Sequence, residues 1–123
     1  MSFFPDFVIR RIYKKGSLKK EGNTITFLVK NELGPDFISG LSYIKINDMM
    51  YGSDKVRFIT QGKEINGAEV SEENQVIFRL GQEGKFILDG TEGLVEGKNR
   101  IEIEVKTPKS GKMGLTIEDV FSE

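Results

Sequence analysis

Apolar residues recur at every second position along much of this chain. Ile44 and Ile46 alternate with Tyr43, Lys45 and Asn47, and Val56 and Phe58 flank Arg57. A period of two gives an extended strand one apolar face and one polar face. The clearest run is Arg100-Ile101-Glu102-Ile103-Glu104-Val105-Lys106, where three β-branched residues point one way and charged residues the other. A helix would scatter that pattern around its circumference. The same reasoning predicts strands over 7–13, 24–29, 75–80, 85–88 and 115–121, about eight in all. Between them lie turn-type clusters: Lys15-Gly16-Ser17, Glu21-Gly22-Asn23, Gly34-Pro35-Asp36, Tyr51-Gly52-Ser53-Asp54, Gln61-Gly62, and the segments 81–84, 90–97 and 108–111. Fourteen glycines suit so many reversals. No stretch of ten or more residues carries a helical stripe, and 68–74 is at most a single turn.

Short strands at intervals of roughly 8 to 15 residues, without helices between them, predict an all-β, single-domain antiparallel β-sandwich. The domain is expected to span 1–123, with 1–6 as an apolar N-terminal arm. Sandwiches have edges, and Lys14, Lys19, Lys106, Lys109 and Lys112 read as edge protection.

Composition narrows the chemistry. The chain has no His and no Cys, which removes the usual general base, the thiol nucleophile and most zinc chemistry. Lack of Cys fits a reducing compartment, so a cytoplasmic location is expected. With 18 basic and 19 acidic side chains the net charge is −1, which gives no whole-molecule attraction to nucleic acid or an anionic membrane. The apolar start fails as a secretory signal, because Pro5 and Asp6 split it and Arg10-Arg11 follow it. No segment approaches the roughly 18 apolar residues of a membrane span. Ser2 in place of Gly also removes N-myristoylation. A soluble, unanchored chain follows as the expectation.

Several motifs invite functional readings. Arg10, Arg11, Lys14, Lys15, Lys19 and Lys20, interleaved with Phe7 and Tyr13, form the densest basic cluster. Without a nucleic-acid-binding signature they read as a solvated face, and no nucleic-acid partner is expected. Gly62-Lys63-Glu64-Ile65-Asn66-Gly67 has the outer glycine spacing of a phosphate loop, but Ala68-Glu69 stands where Lys and Ser or Thr are needed. It reads as a hairpin loop. Asp36, Glu72, Glu73, Asp89 and Glu92 keep a carboxylate-based enzyme formally open, yet all fall in predicted loops. Asp48 and Asp54 lack calcium-loop spacing. No cofactor and no metal are expected, and no catalytic residue is assigned.

Two apolar segments read as an interface. Phe3, Phe4 and Phe7 surround a proline near the terminus, as a terminal strand on the core or as a rigid anchor for a partner. Residues 31–41 form a long irregular stretch carrying Phe37, Ile38 and Leu41, all read as exposed. Together these six residues are expected to contribute to one contact surface.

The order of features also resembles a known family. A loop ending at Gly40-Leu41-Ser42 precedes Ile44-Lys45-Ile46-Asn47, then Lys55-Val56-Arg57-Phe58 and a turn at Gly62; after Phe78, Gly93-Leu94-Val95-Glu96-Gly97 leads into Ile101-Glu102-Ile103. Over roughly residues 7 to 120 this is similar to the small β-subunit of C-glycoside deglycosidases. That resemblance implies a β-sandwich paired with a larger, metal-dependent barrel subunit that bears the catalytic groups. A hydroxymethylglutaryl-CoA reductase label, carried by some similar chains, is not expected to fit, because the chain is far too short for that enzyme and lacks its catalytic His. The expected function is thus a non-catalytic accessory or assembly subunit for a sugar- or glycoside-processing partner, alone or as a homo-oligomer. The alternatives are a carbohydrate-binding module, for which only Tyr13, Tyr43 and Tyr51 and no Trp are at hand, and a small carboxylate-based enzyme.

Overall fold

The structure is a computed structural model that describes residues 2–3, 11–32, 37–109 and 111–123. Its described elements are twelve strands and two 3-10 turns, more strands than the eight expected. One five-stranded sheet runs β1 (Ser2–Phe3), β12 (Gly111–Phe121), β11 (Gly97–Thr107), β5 (Gly40–Ile46), β6 (Met49–Gly52). The other runs β2 (Lys19–Glu21), β3 (Thr24–Lys30), β10 (Glu83–Asp89), β7 (Val56–Thr60), β8 (Lys63–Asn66). A small third sheet pairs β4 (Phe37–Ile38) with β9 (Val76–Ile77). All pairings are antiparallel except β1 with β12.

Register explains the core. In the first sheet Ile46, Ile101 and Ile117 lie side by side across three strands, as do Ile44, Ile103 and Leu115. In the second, Phe27, Phe86 and Phe58 form a row, flanked by Ile25, Leu88 and Val56. These rows meet in one buried cluster, so an aliphatic face packs on an aromatic one, as a sandwich requires. Ring contacts run Tyr13–Phe27–Phe86–Phe58–Phe78, with centroids 4.7–5.7 Å apart, within the range favoured by offset and edge-to-face pairs.

Some expected boundaries move, each for a local reason. Hairpin β5–β6 turns at Asn47-Asp48, with Asn47 at φ 56° and Ile46 paired with Met49. The Tyr51-Gly52 part of the expected turn is therefore strand. The glycine-spaced segment 62–67 is not a loop throughout: Gln61 and Gly62, both at positive φ, make a two-residue turn, and Lys63–Asn66 is the returning strand. A 3-10 turn follows at Gly67–Glu69, capped by Asn66 and Glu69. The strand expected over 7–13 ends differently, because Arg11 and Ile12 are helical and Tyr13 makes one bridge to Val29. Residues 7–10 lie outside the described residues. The strand expected over 75–80 shrinks to Val76–Ile77. Lys19 does sit on an outer strand, but Lys106 is on β11, between two neighbours, and protects no edge.

Leu41 is the largest departure among the interface residues. It was expected on the surface; it is 6% exposed and part of the core. Ile44 and Ile46 point inward, so Leu41, an odd number of positions away, should point out. Between Glu104 and Val105 the register shifts, Glu104 opposing Tyr43 and Val105 opposing Leu41. That bulge leaves Ser42 as the extra residue and turns Leu41 back to the inside.

A buried carboxylate ties the sheets together. Leu115, Ile117, Asp119 and Phe121 form the inward row of β12, and Asp119 is 3% exposed. Its Oδ2 accepts from the Tyr13 hydroxyl at 2.7 Å and from the backbone N–H groups of Gly16 at 2.9 Å and Leu18 at 3.4 Å. Its Oδ1 accepts from Val120 N–H at 2.9 Å. Asn99, fully buried, plays a similar part, donating to the carbonyls of Val95 and Gly97 and accepting from Val95 N–H and the Asn47 amide.

Tyrosine ionisation reports on these ties. Burial, reinforced by the hydrogen bond to Asp119, pushes the Tyr13 phenol above its ordinary value. Burial and the neighbouring Glu92 charge push Tyr51 up to about 12. Burial, then Glu104 and Glu102, raises Tyr43 as well. A raised phenol binds its proton more tightly folded than unfolded. Stability is therefore unaffected below the unfolded value of about 10 and is lost as pH climbs beyond it. In an alkaline spectrophotometric titration Tyr13 and Tyr51 should ionise only as the fold is lost. Three phenols titrating together near the ordinary value, with the far-ultraviolet dichroism unchanged, would contradict this arrangement.

Candidate docking site at the open end of the sandwich

Where β3 ends and the β11–β12 hairpin turns, the two sheets leave an apolar cavity of about 120 Å³. Phe58, Phe78 and Phe86 lie at its aromatic side, and Ile12, Ile38, Ile103, Val105, Met113 and Leu115 contribute aliphatic walls. Polar groups are few there. Its volume approaches that of engineered apolar cavities that stay dry and take up a benzene-sized ligand. Such a space suits one aromatic or branched aliphatic side chain.

The small sheet borders this cavity. Phe37 pairs directly with Ile77, and directly opposed residues of an antiparallel pair share a face. Both are exposed, Phe37 by 40% and Ile77 by 50%. Large apolar side chains adjacent to an apolar cavity make a patch of the kind that marks contact sites. Ile77 was not among the residues singled out from sequence. It had been read only as part of a strand, and its pairing with Phe37 joins residues 40 positions apart, which no local pattern reveals.

The six residues expected to share a surface separate here. Phe37 and Ile38 line the cavity, whereas Leu41 belongs to the core. Phe3 lies in β1, whose backbone pairs with Met113 and Gly114, both cavity-lining residues. Phe4 and Phe7 lie outside the described residues. β1 and β4 therefore approach the same end of the sandwich.

The other candidates are engaged locally. Asp89 pairs with Arg57 at 2.8 Å, a contact that raises the guanidinium further. Asp48 pairs with Arg100 at 3.2 Å. Glu92 accepts from the Tyr51 hydroxyl through its carbonyl at 2.6 Å and its Oε2 at 3.3 Å. Asp36 is outside the described residues. Among the described residues no group of three or more acidic side chains is arranged to hold a metal ion, and no helix is long and apolar enough to cross a membrane. Within the basic cluster Tyr13 is buried against Phe27, and Lys14 and Lys20 face Glu83 and Glu123.

The chain matches a known family model. The model described as "Hydroxymethylglutaryl-CoA reductase, N-terminal domain" matches residues 8–122. No curated protein matches the chain. The family match overturns the resemblance to the deglycosidase β-subunit, whose motifs were short Gly-Leu-x-x-Gly and strand patterns that many sandwiches contain. It equally corrects the rejection of the reductase label, since length and a missing His argue against a whole enzyme and not against membership in a family of N-terminal domains.

Proposed function

The chain belongs to the hydroxymethylglutaryl-CoA reductase N-terminal domain family, and on that footing we propose that it is a non-catalytic assembly module whose open end receives an apolar side chain from a larger partner protein. The observation that carries this reading is the apolar cavity with the exposed Phe37–Ile77 pair beside it. Aromatic and aliphatic groups that fill a pocket surrounded by water-excluding contacts dominate binding energy at protein interfaces. The family's description as the N-terminal domain of a reductase supports a role beside a larger protein, so a reductase chain is the first partner to test. Lack of His and Cys agrees with a division of labour in which that partner supplies the acid–base groups. With the deglycosidase resemblance overturned, nothing directs the partner toward glycoside chemistry. Sugar binding is less favoured because Tyr13 and Tyr51 are buried, leaving Tyr43 as the accessible tyrosine ring.

The experiment mixes the chain with a hydroxymethylglutaryl-CoA reductase from the same cell and measures complex mass by light scattering. Wild-type chain should co-elute with the reductase, and Phe37→Ser with Ile77→Ser should weaken the complex at least about tenfold, since two truncated anchor side chains lose well over 1.4 kcal/mol. Both positions are exposed, so the melting temperature should stay put. Unweakened binding by the double variant overturns the docking site, and self-association without reductase binding overturns the larger partner in favour of a second copy.

A further inference from the structure

A second concave site lies on the outer face of the other sheet. Residues 14–17 fold over the edge of β3, where Lys14 N–H donates to the Leu28 carbonyl at 3.0 Å and Ser17 Oγ accepts from Leu28 N–H at 2.9 Å. Between this turn, β2 and β10 lies a pocket of about 250 Å³. Four lysines line it, Lys14, Lys15, Lys19 and Lys85, with Glu21 as the single acidic residue among the lining. That carboxylate is committed: Lys85 holds it at 3.1 Å and the Thr26 hydroxyl donates to it at 3.0 Å, which together keep it below the usual carboxylate range.

Local positive charge is left over. Among the described residues Lys15 and Lys19 have no ion pair within 4 Å, and Lys14 reaches Glu83 only at 3.8 Å between two well-exposed side chains. Gly16, at φ +86°, has open space where a side chain would stand, so the turn leaves its side of the pocket uncovered. A chain of net charge −1 thus concentrates cations around one hollow. Lysines gathered around one hollow favour a compact ligand with several anionic oxygens, because each ammonium can form a charge-assisted hydrogen bond. A hollow several times the size of a water molecule accommodates two linked phosphoryl groups. We propose that this pocket binds a small multivalent phosphoryl anion of the diphosphate class. The site lies apart from the apolar cavity, shares no lining residue with it, and stands or falls separately from the assembly reading.

Inorganic pyrophosphate is the probe. Titrated at low ionic strength into the full chain, it should bind saturably with one-to-one stoichiometry by calorimetry. It should also shift the amide resonances of residues 14–19, 26, 28 and 85. Lys15→Gln together with Lys19→Gln should weaken binding at least about tenfold, whereas Lys63→Gln with Lys98→Gln, elsewhere on the surface, should leave it unchanged. These lysines are exposed, so each variant should fold as the parent does. Absence of saturable binding overturns the proposal, as does equal weakening by the distant pair, which would indicate diffuse charge attraction. Tighter binding of a single-stranded oligonucleotide whose affinity grows with length would also overturn it, in favour of a nucleic-acid backbone.

Discussion

Asp119→Ala should destabilise the domain by about 3–5 kcal/mol, read as a drop in urea midpoint by circular dichroism with little change in slope. The size follows from what the carboxylate leaves behind. Its Oδ2 takes three donors, from the Tyr13 hydroxyl, Gly16 and Leu18, and its Oδ1 takes a fourth from Val120. Hydrogen bonds to a charged group each contribute about 1.5–3 kcal/mol, and a buried donor stripped of its acceptor adds its own desolvation penalty. Water entering the small void recovers part of that loss. Tyr13→Phe should cost less, about 1–2 kcal/mol, because Asp119 keeps its backbone donors. Asp119→Asn should fall between the two: one amide oxygen can replace Oδ2, but an NH2 then faces the Val120 N–H, donor against donor. If Asp119→Ala and Tyr13→Phe proved equal and small, the tie would contribute little.

Gly84→Ala should destabilise the domain by about 2–4 kcal/mol. Gly84 lies in the inward row of β10, paired with Val29 on one side and Thr60 on the other. A Cβ there would stand 2.3 Å from Cζ and 2.6 Å from Cε1 of Phe58. An exposed ring could swing away. This one is 1% exposed and held between Phe78 at 5.2 Å and Phe86 at 4.7 Å. Overpacking forces such a ring off its rotamer, toward the apolar cavity that it lines, or moves backbone. The check is a double-mutant cycle with Phe58→Leu, which shortens the side chain at the clash. Gly84→Ala should cost markedly less in the Phe58→Leu background than in the wild type, with a coupling of about 1–2 kcal/mol. Additive effects would mean that the methyl and the ring do not meet.

Much of this was legible in the chain, and the failures share a cause. Strands β3, β5, β7, β10, β11 and β12 follow from alternation because each has one face in the core, so burial wrote the pattern into the sequence. Strands β2, β6 and β8 did not show, because Lys19–Glu21 and Lys63–Asn66 are short and polar on outer positions and Met49–Gly52 hides behind a turn-like composition. Leu41 was misplaced because 31–41 read as one irregular stretch, whereas β5 already begins at Gly40 and a bulge turns Leu41 inward. Asp119 carried a signal that went unused: in Leu115-Thr116-Ile117-Glu118-Asp119-Val120-Phe121 an acid occupies an inward position and Val120 an outward one. An inversion of that kind asks which donors await the acid inside. The docking patch and the lysine pocket both depend on strand pairings between distant segments, and a sequence without its partners in space does not display them.

Both sheets keep their middle strands for late in the chain. β10 lies between β3 and β7, and β11 between β5 and β12. As the chain emerges from a ribosome, the described pairings within reach before β10 are the hairpins β2–β3, β5–β6 and β7–β8, each with an unfilled side, and the two-residue pairing of β4 with β9. Isolated hairpins are marginal in water. The apolar rows of both sheets therefore wait for segment 83–121 before either can close. Such non-local topology folds on the slow side, in milliseconds to seconds. A nascent chain stalled before β10 would expose paired but uncovered strands, a substrate for chaperones and a template for aggregation.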